Sequence, residues 1–364
     1  MKKIKFLLML VMAVMAFTAC NDDDDKTTKE NVISEYSYND KLVAEQKAKS
    51  NKNTAVLLVA FGSTWSNAFN AFDETKKAYE AAFPDADVYV SFSSDICINR
   101  ASAGENGEKR DYYEPRYLLH AIGAAKYANV YVQSLQVIPG EEFSNVVASV
   151  KKFANNGYVS DAHLDDTYLK NVKIYLGMPL LNNAEEGGDV DAVAKELNNL
   201  YKDEVAQGAV AFMGHGNPDT YDTFKANVRY TQLETALQKY NKNYYVGTVD
   251  MPGNYKQNVR ERMANNGFTT GKLCLHALMS IAGDHAHNDM AGAGDEYWNA
   301  SDPTSEDNSW YEYFSHNGYT TTVPVVNENP QGLLELSGIR QIWIKHTKNA
   351  ELLEDAYHSM YPEE

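Results

Sequence analysis

Apolar positions along this 364-residue chain follow two alternating periods. Short, nearly unbroken apolar runs read as buried strands: "NTAVLLVAFGST" ending near Gly62, "DADVYVSFSS", "NVYVQSLQVIPG" and "NVKIYLGMPLL". Between them, apolar residues recur at helical spacing in "NAFNAFDETKKAYEAAF", closed by Pro84, in "PRYLLHAIGAAKYA", and in "FSNVVASVKKFANNG", with Gly157 just past its end. The same order then restarts. "DVDAVAKELNNLYKDEV", "YTQLETALQKYN", "YKQNVRERMANNG" and "SWYEYFSHNG" read as helices, and "GAVAFMGHGN", "NYYVGTVD", "KLCLHALMSIAG" and "YTTTVPVV" as strands. A last helix is expected over 338–360. Strands alternating with amphipathic helices predict parallel sheets covered on both faces.

The two halves can be laid over one another. "VAFGST" at 59–64 matches "AFMGHG" at 211–216, and "YVQSLQVIPGEEF" at 131–143 matches "CLHALMSIAGDHA" at 274–286. Ser63 then falls opposite His215, and Glu142 opposite His285. The match is short, and chance likeness among βα units also produces such matches. A duplication predicts two similar doubly wound α/β domains with a cleft between them. Ligands of such sheets bind beyond the carboxyl ends of the strands, and the polar residues of interest all sit there.

The ends of the chain change the picture. Residues 1–19 carry Lys2, Lys3 and Lys5, an apolar run from Phe6 to Phe17, and small residues before Cys20, which together read as a secretory signal. The run is too short for a stable spanning helix. "FTAC" resembles the lipobox of bacterial lipoproteins, which would make Cys20 the lipidated first residue. "NDDDDKTTKEN" buries nothing and reads as a solvated tether over 20–53. It is similar to the acidic stretch behind the lipid cysteine in surface lipoproteins of Bacteroides-like bacteria. The expected location is therefore the cell envelope, periplasmic or on the outer-membrane surface, with membrane contact only through the lipid. Losing three lysines with the signal takes the formal charge from −17 to −20. That charge makes nucleic acid and anionic membranes poor partners. Cys97 and Cys274 sit in apolar contexts and leave room for one bridge at most. The remaining chain is long enough for two domains.

Candidate chemistry gathers in a few places. His215 stands between Gly214 and Gly216 at a strand end, a setting that leaves an imidazole uncovered. "IAGDHAHNDMAG" at 281–292 holds His285, His287, Asp284 and Asp289 in twelve positions. Helix capping accounts for one or two of these residues but not for two histidines. One histidine suits a metal, with a neighbouring aspartate orienting it through the other ring nitrogen. His287 is equally read as merely exposed. Asp250 ends "YYVGTVD", where it is a third ligand or a strand-end turn residue. Glu141 and Glu142 open a helix, where acids are favoured in any case. Imidazoles and a carboxylate without thiolate suit Co2+, Ni2+, Fe2+ or Zn2+ in an open site.

"LLVAFGST", "QSLQVIPGEEF", "FMGHG" and "AGDHAHNDMAG", in this order, resemble the anaerobic sirohydrochlorin cobaltochelatases, the class II chelatases, over residues 54–348. The resemblance implies two chelatase-like halves, 54–182 and 183–330, with residues 331–364 packing back across them. It implies a cleft that holds a flat tetrapyrrole, and an enzyme that inserts Co2+ into it. Carried over, His215 is the metal ligand and proton acceptor, and His285 the second metal histidine. Asp250 falls where the family usually has glutamate, and Glu142 is a cleft acid. Ser63, Phe61 and Met213, with Trp65, would line the ring site; Phe61, Trp65 and Met213 serve equally well as ordinary core. Arg100, Lys109, Arg110 and Arg116 either meet the ring's carboxylates or form a solvated loop. The alternative is an envelope lipoprotein that captures haem or another tetrapyrrole for iron or corrinoid acquisition. A metal-dependent hydrolase is the weaker third reading, because "FGST" is not a nucleophile elbow. A homo-oligomer stays open.

Overall fold

The computed structural model describes residues 26–105, 107–156, 163–218, 220, 222 and 225–354, with side chains from residue 35 onward. The expected signal over 1–19 and Cys20 lie outside the described residues.

In the first half, β1 (Thr54–Ala60), β2 (Ala86–Phe92), β3 (Asn129–Ser134) and β4 (Lys173–Gly177) form a parallel sheet in the order β2-β1-β3-β4. In the second, β5 (Gly208–Gly214), β6 (Tyr244–Thr248), β7 (Gly271–Ala277) and β8 (Tyr319–Thr322) repeat that order as β6-β5-β7-β8, again all parallel. The central strands are apolar and buried because helices cover both sheet faces. These helices are α2 (Ser66–Ala82), α3 (Asp95–Ala103), α4 (Pro115–Ala124), α5 (Glu141–Ala154) and the short α6 (Asp166–Leu169) in the first half. In the second they are α7 (Asp189–Gln207), α8 (Val228–Gln238), α9 (Lys256–Asn265) and α10 (Trp310–His316).

The ladder beyond the strand ends shows how the halves correspond. Leu135 N donates to Val59 O, as Leu278 N donates to Met213 O. Ser94 N donates to Phe61 O, as Asp250 N donates to His215 O. The duplication is thus visible in hydrogen bonds, with one correction. The β3/β7 match holds, so Glu142 does stand in the place of His285. The β1/β5 match is two residues out, so the counterpart of His215 is Phe61, not Ser63. A shift of two leaves each side chain on the same sheet face, so the apolar pattern cannot detect it.

The halves share one core. A single apolar cluster runs from Val56, Leu58 and Phe72 through Leu197 and Phe212 to Leu233 and Trp343. Trp343 lies on α11 (Ser337–Lys348), which returns to the first half. Its indole N–H donates to Gln136 O at 3.4 Å, and the Thr347 hydroxyl donates to Gln133 Oε1 at 2.8 Å. After α11 the chain adds β11 (Glu351–Leu352) antiparallel to β4, so the expected helix over 338–360 stops at Lys348.

Two further expectations change. The stretch 20–53 is not a tether throughout, because Lys26–Ser50 forms a helix, α1. Its Val43 and Tyr36 are buried, Lys47 Nζ donates to Ala125 O and Lys126 O at 2.7 Å each, and Ser50 Oγ and Gln46 Nε2 donate to the buried Asp87. "YTTTVPVV" breaks at Pro324, and β9 (Val325–Val326) pairs instead with β10 (Asn329–Pro330) in a separate ribbon. Cys97 and Cys274 are free thiols. No helix among the described residues is long and apolar enough to cross a membrane.

Candidate functional site

His215 and His285 come from separate strand-end loops of the second half and meet edge to face, with ring centroids 4.8 Å apart and planes at 82°. Both stay open to solvent, their side chains 49% and 44% exposed.

The His215 turn is set by its glycines. Gly216 has φ +82°, and a Cβ there would lie 2.8 Å from Met251 N. Gly214 lies against the Tyr230 ring, where a Cβ would collide with the aromatic carbons. The buried Tyr230 hydroxyl accepts from Gly216 N at 3.3 Å. His285 begins a π-helical turn, His285–Met290, and such turns are often found at functional sites. The turn brings Asp289 back beneath its ring.

Each imidazole is held through Nδ1. His215 Nδ1 donates to Gly216 O at 2.7 Å, with Asp250 Oδ2 3.5 Å away. His285 Nδ1 donates to Asp289 Oδ2 at 2.5 Å. That fixes the tautomers and leaves both Nε2 atoms as lone-pair donors. The surrounding protein and the neighbouring His285 lower the His215 pKa, against Asp250, and so favour its neutral form. Burial also works against a charged His285, but the hydrogen bond and charge of Asp289, with Asp250 and Asp284 further out, outweigh it and raise its pKa.

Among the described residues, no three His, Cys, Asp or Glu side chains are grouped to enclose an ion. The arrangement is an open histidine pair with Asp250 on the Nδ1 side of His215. Such a half-built site suits an ion in transit better than a structural one.

The other candidates divide. Glu142 accepts from the Ser93 hydroxyl at 3.2 Å; burial raises its pKa, Ser93 opposes this, and Glu141 adds to it. Phe61 is 47% exposed at the end of β1. Met213 is fully buried among Tyr245, Val259 and Ala286, so it is core rather than ring site. Ser63 is buried too, and its hydroxyl accepts from Trp65 N at 3.2 Å, so it shapes a turn instead of contacting a ligand. His287 donates from Nδ1 toward Gly283 O at 3.0 Å and lies 3.3 Å from Asn329 Oδ1 through Nε2, which removes it from the ligand candidates. Arg110 pairs with Asp73 and Glu108, and Arg116 with Glu114. Arg100 alone of the four basic residues reaches the histidine turn, 3.9 Å from Asp284.

Sequence reasoning named an orienting aspartate without choosing one, and the π turn selects Asp289. It missed Tyr230, whose hydroxyl serves the site only because α8, packed on β6 and α7, lays the Tyr230 ring against Gly214.

The sequence model of a family described as cobalt chelatase (CbiK) matches residues 54–351. Sirohydrochlorin cobaltochelatase CbiKC of Nitratidesulfovibrio vulgaris is 28% identical over 311 residues, 84% of this chain and 93% of that protein. Sirohydrochlorin cobaltochelatase of Salmonella typhimurium is 26% identical over 246 residues, covering 67% and 82%. The solved structure of SirB from Bacillus subtilis with Fe3+ overlays with a TM-score of 0.50 at 14% identity, over 84% of this chain and 97% of that one. At that identity the likeness is one of fold.

Proposed function

Because the chain belongs to the cobalt chelatase (CbiK) family, we propose that it is a metal chelatase that inserts Co2+ into sirohydrochlorin, a step of cobalamin biosynthesis. The observation that carries this reading is the His215–His285 pair. The two rings are 4.8 Å apart and both are anchored through Nδ1, which leaves two neighbouring Nε2 lone pairs free to bind an ion.

Insertion exchanges one divalent ion for two ring N–H protons. The two Nε2 atoms hold Co2+ as a substrate, while Asp250, 3.5 Å from Nδ1 of His215, adds negative charge behind that ring. Nitrogen and oxygen donors at an open site release it to the macrocycle more readily than a thiolate cage would. As the ring nitrogens take the ion, His215 becomes free to accept one proton. Its lowered pKa keeps it neutral beforehand. Glu142, in the place of His285 in the first half, is the second candidate base. Phe61, in the place of His215, offers an apolar face to the ring.

Ni2+, Fe2+ and Zn2+ suit the same donors, and metal choice belongs to this proposal. So does location: residues 1–19 and the lipobox-like Cys20 support export and a lipid anchor at the cell envelope. That leader also favours a second reading, in which the envelope protein binds haem or another finished tetrapyrrole.

The test is a mixture of purified protein, Co2+ and sirohydrochlorin followed by absorbance. Conversion to the cobalt ring that is lost in His215→Ala supports the chelatase. Tight haem binding with no insertion of any metal supports the capture reading and overturns the first.

A further inference from the structure

Trp65 belongs to the first half, at the start of α2, yet its side chain is taken up by the turn that carries His285. Its indole Nε1–H donates to Asp284 Oδ1 at 2.6 Å. Its ring stacks on His287, with centroids 3.6 Å apart and planes 6° apart. The residue is therefore attached on both sides of His285, at the position before it and at the position two after it. Arg100, also of the first half, approaches the other Asp284 oxygen at 3.9 Å.

The far ends of this contact are fixed as well. The Ser63 hydroxyl holds the Trp65 amide at 3.2 Å, and a Cβ on Gly283 would come within 3.8 Å of that hydroxyl, so the halves approach closely here. His287 is held through Nδ1 by Gly283 O, with Asn329 Oδ1 3.3 Å from its Nε2, which keeps its ring beside the indole. A charge-assisted N–H···O bond and an aromatic stack, acting together, are specific in direction as well as attractive.

From this geometry we propose that Trp65 is a positioning residue: it clamps the histidine turn from across the interface and holds His285 at the separation from His215 that a shared ion requires. It touches neither the ion nor the ring. The proposal deepens the chelatase reading and rests on it for the identity of the ion. It adds that the metal site, although built from second-half residues, depends on the first half for its shape. Groups that orient a metal-binding histidine typically contribute 10–100-fold in affinity or activity.

The experiment compares Trp65→Ala, Trp65→Phe, Asp284→Asn and the Trp65→Phe/Asp284→Asn double variant in the full chain. It reads the Kd for Co2+ with no tetrapyrrole present, then kcat, the KM for the ring, and thermal stability. Trp65→Ala is expected to weaken Co2+ binding about 10-fold and to lower kcat, with the ring KM little changed. Trp65→Phe, which keeps a ring on His287, is expected to recover part of that loss. The double variant should be no worse than the weaker single one, because Trp65→Phe already removes the bond that Asp284→Asn only weakens by taking away its charge. Unchanged Co2+ affinity in Trp65→Ala with a raised ring KM would make Trp65 a ring-contacting residue and overturn the proposal. Unchanged affinity with only a lower Tm would make it packing, with the same consequence. Co2+ binding is read without the ring, so a wild-type protein that binds cobalt but inserts none sinks the chelatase reading and leaves this test intact.

Discussion

Phe61 and His215 occupy the same place in the two halves: the carbonyl of each accepts the ladder hydrogen bond, from Ser94 N and Asp250 N respectively. The two halves differ in side chain at this matching position. The second keeps imidazole and carboxylate. The first has an exposed aromatic ring, and Ser94 in the place of Asp250 caps α3 through the Cys97 amide. At this position the second half thus offers an imidazole and the first an exposed apolar ring.

Phe61 then matters to the ring and not to the core. Phe61→Ala should raise KM for the tetrapyrrole about 10-fold, the ~1.4 kcal/mol that a lost stacking face is worth, and leave Co2+ affinity and Tm unchanged. Steady-state kinetics at saturating Co2+ decide it; an unchanged ring KM would remove Phe61 from the site.

Met213 behaves in the opposite way. Its side chain fills the core under the histidines, so Met213→Ala should lower stability by about 2–5 kcal/mol. Ring KM, measured well below the melting temperature, should stay as it was. Denaturant unfolding beside the same kinetics checks both halves of the statement.

Asp289 has two effects on His285 that a single substitution separates. Asp289→Asn removes the charge that raises the histidine, so its pKa falls and the neutral, ion-binding imidazole persists to lower pH. It also loosens the ring, so Co2+ affinity at neutral pH should fall about 10-fold. Isothermal titration across pH should show weaker binding with its midpoint moved acid; a midpoint that stays put would mean that Asp289 does not govern His285.

His276 sets an acid limit on the fold. It is fully buried on β7, and burial, opposed only by the backbone at Ala277, pushes its pKa down to about 4 from 6.5. The unfolded chain takes up the proton near pH 6.5 and the folded one does not until about pH 4, so stability is complete above 6.5 and falls as pH drops through that window. The shift corresponds to roughly 3 kcal/mol. Calorimetry of wild type and His276→Leu from pH 7 to 4.5 should show a shallower decline in the variant; parallel curves would assign the acid sensitivity elsewhere.

Much of this was legible in the chain because strands buried on both faces and helices buried on one leave different periods. The histidines were legible because two glycines around one, and a cluster with aspartates around the other, are costly patterns without a role. The two-residue offset between Phe61 and Ser63 was not legible, since alternation is blind to even shifts. Helix α1 was hidden for a different reason: it carries no apolar stripe, and it docks through Lys47, Gln46 and Ser50 on carbonyls and on Asp87, partners that only the fold supplies. Met213 lies two residues before His215 and faces the core, one of the two readings that the sequence left open for it.

The most direct test is anomalous scattering at the cobalt edge from crystals of the protein grown with Co2+. The account predicts one strong peak about 2.1 Å from Nε2 of both His215 and His285. A cobalt ion bound elsewhere, with the two imidazoles unligated, would contradict it.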